Sequence, residues 1–327
     1  MRLFNRLAAV AGLLILSACA GMGGGPIPYV PAVDGWVATE ATTRSVTLGL
    51  PGAVLSEGVE FAGGVELVAD AGSPLHSLSD LKLTDRDGGF VSVTDVGDLV
   101  RGRILLDTRG RLTGLSAFST RRLTLTDGQP IQDKADGDAE GLVILPDGRL
   151  LVSFERNHRI WDYGRLPALN ARPVAVRHPD FVFAENDGME GVAASPTGWI
   201  VTGESGGVWD CAADHCRLVT PPPATPVPDA DFRITGMDRD PSGPGWFVVQ
   251  RAFSLPAGPR AHIRRMAPNG VLGPVLVELK LPGTTDNFEG IAAQTRNGRT
   301  RLYILSDDNF NPIQRTLMLA FDVAPRP

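Results

Sequence analysis

Apolar residues in this chain fall in short runs broken by Gly, Pro and Asp turns, not at helical spacing. Asp138-Ala139-Glu140-Gly141-Leu142 and the stretch VILPDGRLLVSFERNHRIWDYG behind it set the pattern. Glu140-Gly141-Leu142 returns as Glu190-Gly191-Val192 and as Glu289-Gly290-Ile291. Each copy runs through a turn (Pro146-Asp147-Gly148, Pro196-Thr197-Gly198, Arg296-Asn297-Gly298) into a second apolar run. That run ends on Ser153-Phe154-Glu155, Thr202-Gly203-Glu204 or Ser306-Asp307-Asp308. Two further copies start at Ser79, with its second run ending at Asp95, and at Thr235, with Gln250 and Arg251 at the close. Internal repeats of this length indicate solenoids or propellers, and each unit has room for about four strands of five or six residues.

The predicted fold class is therefore all-β: a single β-propeller of five or six four-stranded blades over residues 36–327. Strand-like runs from Trp36 to Asp70 could make or complete a sixth unit. The C-terminal run Thr316 to Phe321 is expected to pair with them and close the ring, which removes exposed edges.

Composition adds the compartment. The chain has 327 residues with 38 Gly and 26 Pro, and its net charge of −6 leaves no basic stripe for nucleic acid. Arg2 and Arg6 precede an apolar stretch, Leu7 to Leu16, too short to span a bilayer. Leu16-Ser17-Ala18-Cys19 resembles a bacterial lipobox. That implies a signal peptide over 1–18, a lipidated Cys19 on a Gly- and Pro-rich tether over 19–35, and a monomer in the periplasm. Attachment would be to the membrane, by sorting habit the outer one, through lipid alone. Of the three cysteines, Cys211 and Cys216 then remain. They would close a hairpin tip as a disulfide, or flank His215 in a metal site. One cysteine pair is a thin basis for zinc, so the disulfide is expected.

An antiparallel hairpin brings its outer ends together, so Glu140 and Glu155 should share one face of the molecule. The same holds for Glu190 with Glu204 and for Glu289 with Asp307 and Asp308; Asp95 joins from the first unit. Carboxylates gathered in this way repel unless a cation neutralises them, and hard oxygen donors suit Ca²⁺ or Mg²⁺. The other role open to such glutamates is to fasten one blade's backbone to the next.

The Glu-Gly start, the turn and the closing acid 14 to 18 residues later resemble the phytase-like β-propeller family (esterase-like activity of phytase). The likeness runs from about Leu75 to Val323. It is most distinctive in Asp286-Asn287-Phe288-Glu289-Gly290-Ile291 and Leu302-Tyr303-Ile304-Leu305-Ser306-Asp307-Asp308-Asn309. It implies Ca²⁺ at a channel mouth, held by Glu140, Glu155, Glu190, Glu204, Glu289 and Asp307, and a small anionic ester as substrate. The aspartate run near the N-terminus of true phytases has no match here. Phosphate recognition would rest on Arg156, Arg159 and Arg251, whose planar forks suit phosphate oxygens.

The reading is a metal-dependent hydrolase of phosphate or carboxylic esters, with Glu190, Glu289 and His158 as the candidate catalytic groups. The alternative is a non-catalytic periplasmic ligand-binding or scaffold propeller. Gly203-Glu204-Ser205-Gly206-Gly207 matches a nucleophile-elbow pattern. The strand-like Val208 to Cys211 behind it is not the helix that motif needs, so an ordinary tight turn is expected there.

Overall fold

A computed structural model describes residues 35–49, 51–166 and 168–326. Cys19, the signal segment and the tether up to residue 34 lie outside the described residues.

Four strands open the described chain: β1 (Val37–Ala38), β2 (Thr42–Ser45), β3 (Ala53–Leu55) and β4 (Val59–Val68). The first repeat unit follows as β5 (Lys82–Leu83), β6 (Gly89–Val93), β7 (Asp98–Leu106) and β8 (Leu112–Arg122). A four-residue helix, α1 (Lys134–Gly137), leads into the second unit. That unit comprises β9 (Ala139–Ile144), β10 (Arg149–Phe154), β11 (Arg159–Arg165) and β12 (Ala168–Ala175). The third comprises β13 (Met189–Ala194), β14 (Trp199–Gly203), β15 (Val208–Cys211) and β16 (Cys216–Thr220). The fourth comprises β17 (Arg233–Arg239), β18 (Trp246–Ser254), β19 (Gly258–Met266) and β20 (Leu272–Lys280). Last come β21 (Asn287–Arg296), β22 (Arg299–Asp307) and β23 (Thr316–Val323).

The protein is all-β apart from α1 among the described residues. Each unit is an antiparallel meander in chain order; the fifth takes β4 as its fourth strand, and the single parallel pair Gly63–Leu112 joins it to the first unit in the order β21-β22-β23-β4-β8-β7-β6-β5. The N-terminal and C-terminal runs thus pair, with Met318 opposite Val65. No sixth unit forms among the described residues. Instead β1, β2 and β3 add to the edges of the first, fifth and fourth units, through β8, β4 and β20. The first strands touch in cyclic order: β5 meets β9, β9 meets β13, β13 meets β17, β17 meets β21, and β21 returns to β5.

Packing follows the same order. The buried side chains form five apolar clusters, each shared by consecutive units. Alternation along β10 shows how. Leu150, Val152 and Phe154 face the cluster with the first unit, while Leu151 faces the cluster with the third. Successive side chains point to opposite faces of a strand, so a strand packed on both faces reads as a continuous apolar run.

The Glu-Gly motif has a geometric cause. In each hairpin of the first two strands, the register slips by one residue at the repeated acid's position. Gly141 faces Ser153 but Ala139 faces Phe154, which leaves Glu140 as the extra residue of a β-bulge. Glu190, Thr235 and Glu289 are the extra residues of the equivalent bulges. In the first unit the same slip separates the Lys82–Val91 pair from the Leu78–Thr94 bridge. A bulge re-aims its side chain out of the ladder.

The glycine that follows lets the next unit approach. A Cβ on Gly141 would sit 2.6 Å from the carbonyl oxygen of Glu190. One on Gly236 would overlap the carbonyl oxygen of Glu289, and one on Gly290 would lie 2.9 Å from the amide of Leu81. Gly236→Ala is therefore expected to cost about 2–3 kcal/mol, the upper part of the range of about 1–3 kcal/mol for overpacking. Gly72→Ala, with nothing within 4 Å of the added carbon, should stay within about 0.5 kcal/mol of wild type. Urea unfolding checks both; equal effects would remove the close-approach explanation.

Candidate functional site

The bulged acids and the strand-closing acids converge on one small cavity of about 30 Å³. Its lining includes all six residues implied as calcium ligands: Glu140, Glu155, Glu190, Glu204, Glu289 and Asp307. It also includes Asp95, Lys134, Asp138, Arg156, Arg251 and Asn309. A water needs roughly 10–15 Å³ by this measure, so the pit has room for an ion or two and their waters, not for a whole organic substrate.

Eight carboxyl groups and three cationic side chains line this space, and the cations are spread unevenly. Lys134 Nζ lies 2.8 Å from Asp95 and 3.0 Å from Asp138, and Arg156 Nε lies 2.5 Å from Asp138. Arg233 pairs with Glu204 from behind the lining, and Arg251 Nη2 reaches the same carboxylate at 2.9 Å. Arg251 Nε also approaches Glu289 to 3.5 Å, and Asn287 Nδ2 donates to that glutamate at 2.8 Å. Asp95 accepts from Ser77 and Ser79 as well. Among the described residues, no hydrogen bond or ion pair reaches the carboxylates of Glu140, Glu155 and Glu190.

The electrostatic consequence is large. Burial, then the charge of Glu190 and other acids, pushes Glu140 well above the usual carboxylate range. Burial, then Glu204 and Glu155, does the same to Glu190, which Arg251 only partly offsets. Glu155 is raised to about 9 by burial and by Asp138 and Glu204. Glu289 is raised to about 7, burial again outweighing Arg251. Asp307 is raised well above its ordinary value by burial, Asp95 and Glu289.

The donor chemistry fits a hard divalent cation. Asp138, Glu140 and Glu155 each bring a carboxylate oxygen within 4.8 Å of the others, and Glu155, Glu190 and Glu204 form a second such group. Oxygens on opposite sides of a Ca²⁺ ion stand at most about 5 Å apart, given Ca–O distances of about 2.3–2.6 Å. Glu155 belongs to both groups. All the donors are oxygens, which excludes a preference for soft metals.

The remaining expectations divide. Arg156 and Arg251 line the cavity; Arg159 does not. Its guanidinium lies 4.2 Å from the Phe154 ring centroid and 4.4 Å from that of Trp161, and it donates to the carbonyls of Asn157 and Asp136. Nor does His158 line the cavity. Its Nε2 is 3.0 Å from the Ala184 carbonyl oxygen, its ring packs on Phe183, and burial lowers its pKa. Asp308 turns away from the pit to His76, Ser77 and Thr316. Ser205 sits in a strand-turn-strand between β14 and β15, with its Oγ accepting from the Val227 amide. Cys211 and Cys216 are joined by a disulfide across the tip of the β15–β16 hairpin.

Hydrogen bonds between consecutive units are made by other side chains. Asp80 accepts from the Leu142 amide and Asp238 from the Ala293 amide, while Ser153 and Thr235 donate to the carbonyls of Met189 and Phe288. Lys134, Asp138 and Asn309 are lining residues beyond the sequence-derived set. Asp138 was signalled by its place two residues before Glu140. Lys134 carried no signal, since it lies in a polar connector that only the fold brings to the mouth.

Fold and site together define an all-β protein whose repeated units aim carboxylates into one pit suited to a hard cation. The family model described as "Phytase-like: Esterase-like activity of phytase" matches residues 73–310, and the chain belongs to this family. No curated protein matches it. Similar solved structures include a gluconolactonase from Xanthomonas campestris, 11% identical with a TM-score of 0.42, covering 87% of this chain and 100% of that one. The Malassezia sympodialis allergen Mala s 1 is 11% identical with a TM-score of 0.42, covering 89% and 97%. The PQQ-bound aldose sugar dehydrogenase from Streptomyces coelicolor is 10% identical with a TM-score of 0.39, covering 89% and 100%. At such low similarity, nothing about this chain's chemistry follows from these three.

The raised acids set the pH behaviour of the metal-free protein. Their native pKa values exceed those of the unfolded chain, so the native state holds protons that the unfolded state has shed. Stability must then fall as pH rises from about 4.5, through about 7 for Glu289, towards about 9 for Glu155. Calcium should reverse the loss by binding the native state alone. Thermal unfolding at several pH values, in chelator and in calcium, tests this; a melting temperature indifferent to calcium throughout would contradict it.

Proposed function

We propose that the protein is a five-bladed β-propeller that binds one or more calcium ions at its channel mouth and hydrolyses phosphate or carboxylic esters there. The five four-stranded units and the cyclic contacts of their first strands support the blade count. One observation carries the metal assignment. Glu140, Glu155 and Glu190, from adjacent units, share a narrow pit with no hydrogen-bonding or ion-pairing partner for their carboxylates among the described residues. Such a group is stable only if protonated or bound to a cation.

Asp138, Glu140, Glu155, Glu190 and Glu204 would hold the ion, with Glu289 and Asp307 at the edge. A bound divalent cation supplies polarisation of the scissile group and a more acidic bound water. Arg251, held between Glu204 and Glu289, is placed to orient an anionic ester oxygen beside the pit, and Arg156 does the same from the second blade. Glu190 and Glu289 are the acids through which the reaction's proton would pass. His158 and Arg159 are given no part in the chemistry, because both are engaged elsewhere. The lipobox-like segment ending at Cys19, together with the Cys211–Cys216 disulfide, supports attachment in an oxidising cell-envelope compartment.

A panel of aryl phosphates, phytate, aryl carboxylic esters and lactones, assayed with and without calcium, tests the proposal. Turnover of at least one class is expected to require calcium. It should fall about a hundredfold or more in Glu190→Gln and Glu289→Gln variants that still fold. No turnover on any class, with calcium-independent binding of a cell-envelope partner at the mouth, would make the protein a scaffold instead.

A further inference from the structure

The pit is too small for an organic substrate, yet a second cavity of about 300 Å³ is lined in part by residues next in sequence to one of the pit's own. Phe181, Phe183, Pro222, Pro223 and Pro226 line it, together with the polar Asp187 and Ser205. Glu204 lines one cavity and Ser205 the other, successive residues about 3.8 Å apart along the backbone. The Glu204 amide donates to Gly188 and the Ser205 amide to Asp187, so the paired segments 187–188 and 204–205 contribute lining to both spaces. Asp187 in turn lies 3.8 Å from the Arg233 guanidinium that pairs with Glu204.

This second cavity is preformed. Proline fixes φ, and the Pro-rich segment is tied down where Val227 donates to Ser205. Beneath it the turn Gly206-Gly207 has φ of +109° and +86°, and a Cβ on Gly207 would collide with the Trp209 ring. Trp209, Phe181 and Phe183 form a mutual aromatic cluster with ring centroids 4.9–5.6 Å apart. Phe181 and Val182 stand exposed, at 42% and 93%. An apolar cavity of ~150 Å³ takes a benzene molecule, so this one has room for an aryl ring with a short chain.

We propose that this cavity binds the apolar group of the ester, an aryl ring or a short alkyl chain, while the ester's polar group reaches the carboxylate pit. The inference rests on the hydrolytic reading for its reaction, but not for its ligand class. It makes the substrates apolar, singly charged or neutral esters. The aromatic and proline wall offers no counter-charge to a polyanion, so such substrates gain nothing from this cavity.

Two measurements separate the ligand class from the reaction. In the first, 4-propylphenol is titrated into the full chain in chelator, with tryptophan fluorescence reporting through Trp209. Saturable binding is expected. It should weaken roughly tenfold in Ala224→Trp, which fills the cavity, and in Phe181→Ala, which removes its aromatic rim. In the second, the ratio of kcat/KM for 4-nitrophenyl hexanoate to that for the acetate should fall about tenfold in both variants. Non-saturable response of the wild-type protein overturns the inference without recourse to any variant. So does binding unchanged in variants that melt like wild type. Saturable, variant-sensitive binding without hydrolysis of any ester upholds the ligand class and removes the hydrolytic reading alone.

Discussion

Repulsion among carboxylates confined away from water is the constraint that organises this protein. Four of the five units send acids into a pit of about 30 Å³, and the fourth sends Arg251 in their place. That exception makes the cluster tolerable. Arg251 and Arg233 neutralise Glu204, and Lys134 and Arg156 do the same for Asp138. The acids left without a hydrogen bond or close ion pair are Glu140, Glu155 and Glu190, which Lys134, Arg156 and Arg251 offset only in part and from a distance. Burying a carboxylate without a hydrogen-bonding partner is costly enough to raise its pKa strongly, and three together favour the uptake of protons or of a cation.

The backbone device behind the pit is a bulge followed by a glycine. The bulge turns one residue of each first strand out of the ladder, and the glycine lets the neighbouring first strand come close enough for five units to meet. This explains why Glu-Gly was the most readable signal in the sequence: both residues answer to the same ring geometry, so they recur together. Thr235-Gly236 keeps the bulge and the glycine without the acid, and Thr235 becomes a fastener through the Phe288 carbonyl.

What was not legible depended on pairings between distant segments. The apolar run in β23 announced a partner among the N-terminal strands. Only the fold shows that β4 completes the fifth sheet while β1, β2 and β3 cap other edges. Arg159 was a candidate anion ligand because its planar fork suits phosphate oxygens. The turn at 155–158, with Arg156 at φ +59°, sends it instead onto Phe154 and Trp161. Lys134 was invisible for the opposite reason, since a lysine in a polar connector has no distinguishing pattern until α1 brings it to Asp95. The aromatic and proline residues around the second cavity read as loop composition, because their chemistry emerges only when residues 181–187 and 222–226 face each other.

The account stands most directly on the exchange of protons for a cation in the central pit. Isothermal titration of calcium into the chelator-treated protein near neutral pH, repeated in buffers of different ionisation enthalpy, counts the protons released per ion bound. Saturable binding with release of about one proton or more per ion is expected, since burial and like charge raise Glu140 and Glu190 well above the usual carboxylate range and push Glu155 up to about 9. Absence of binding, or binding with no proton released, would contradict it.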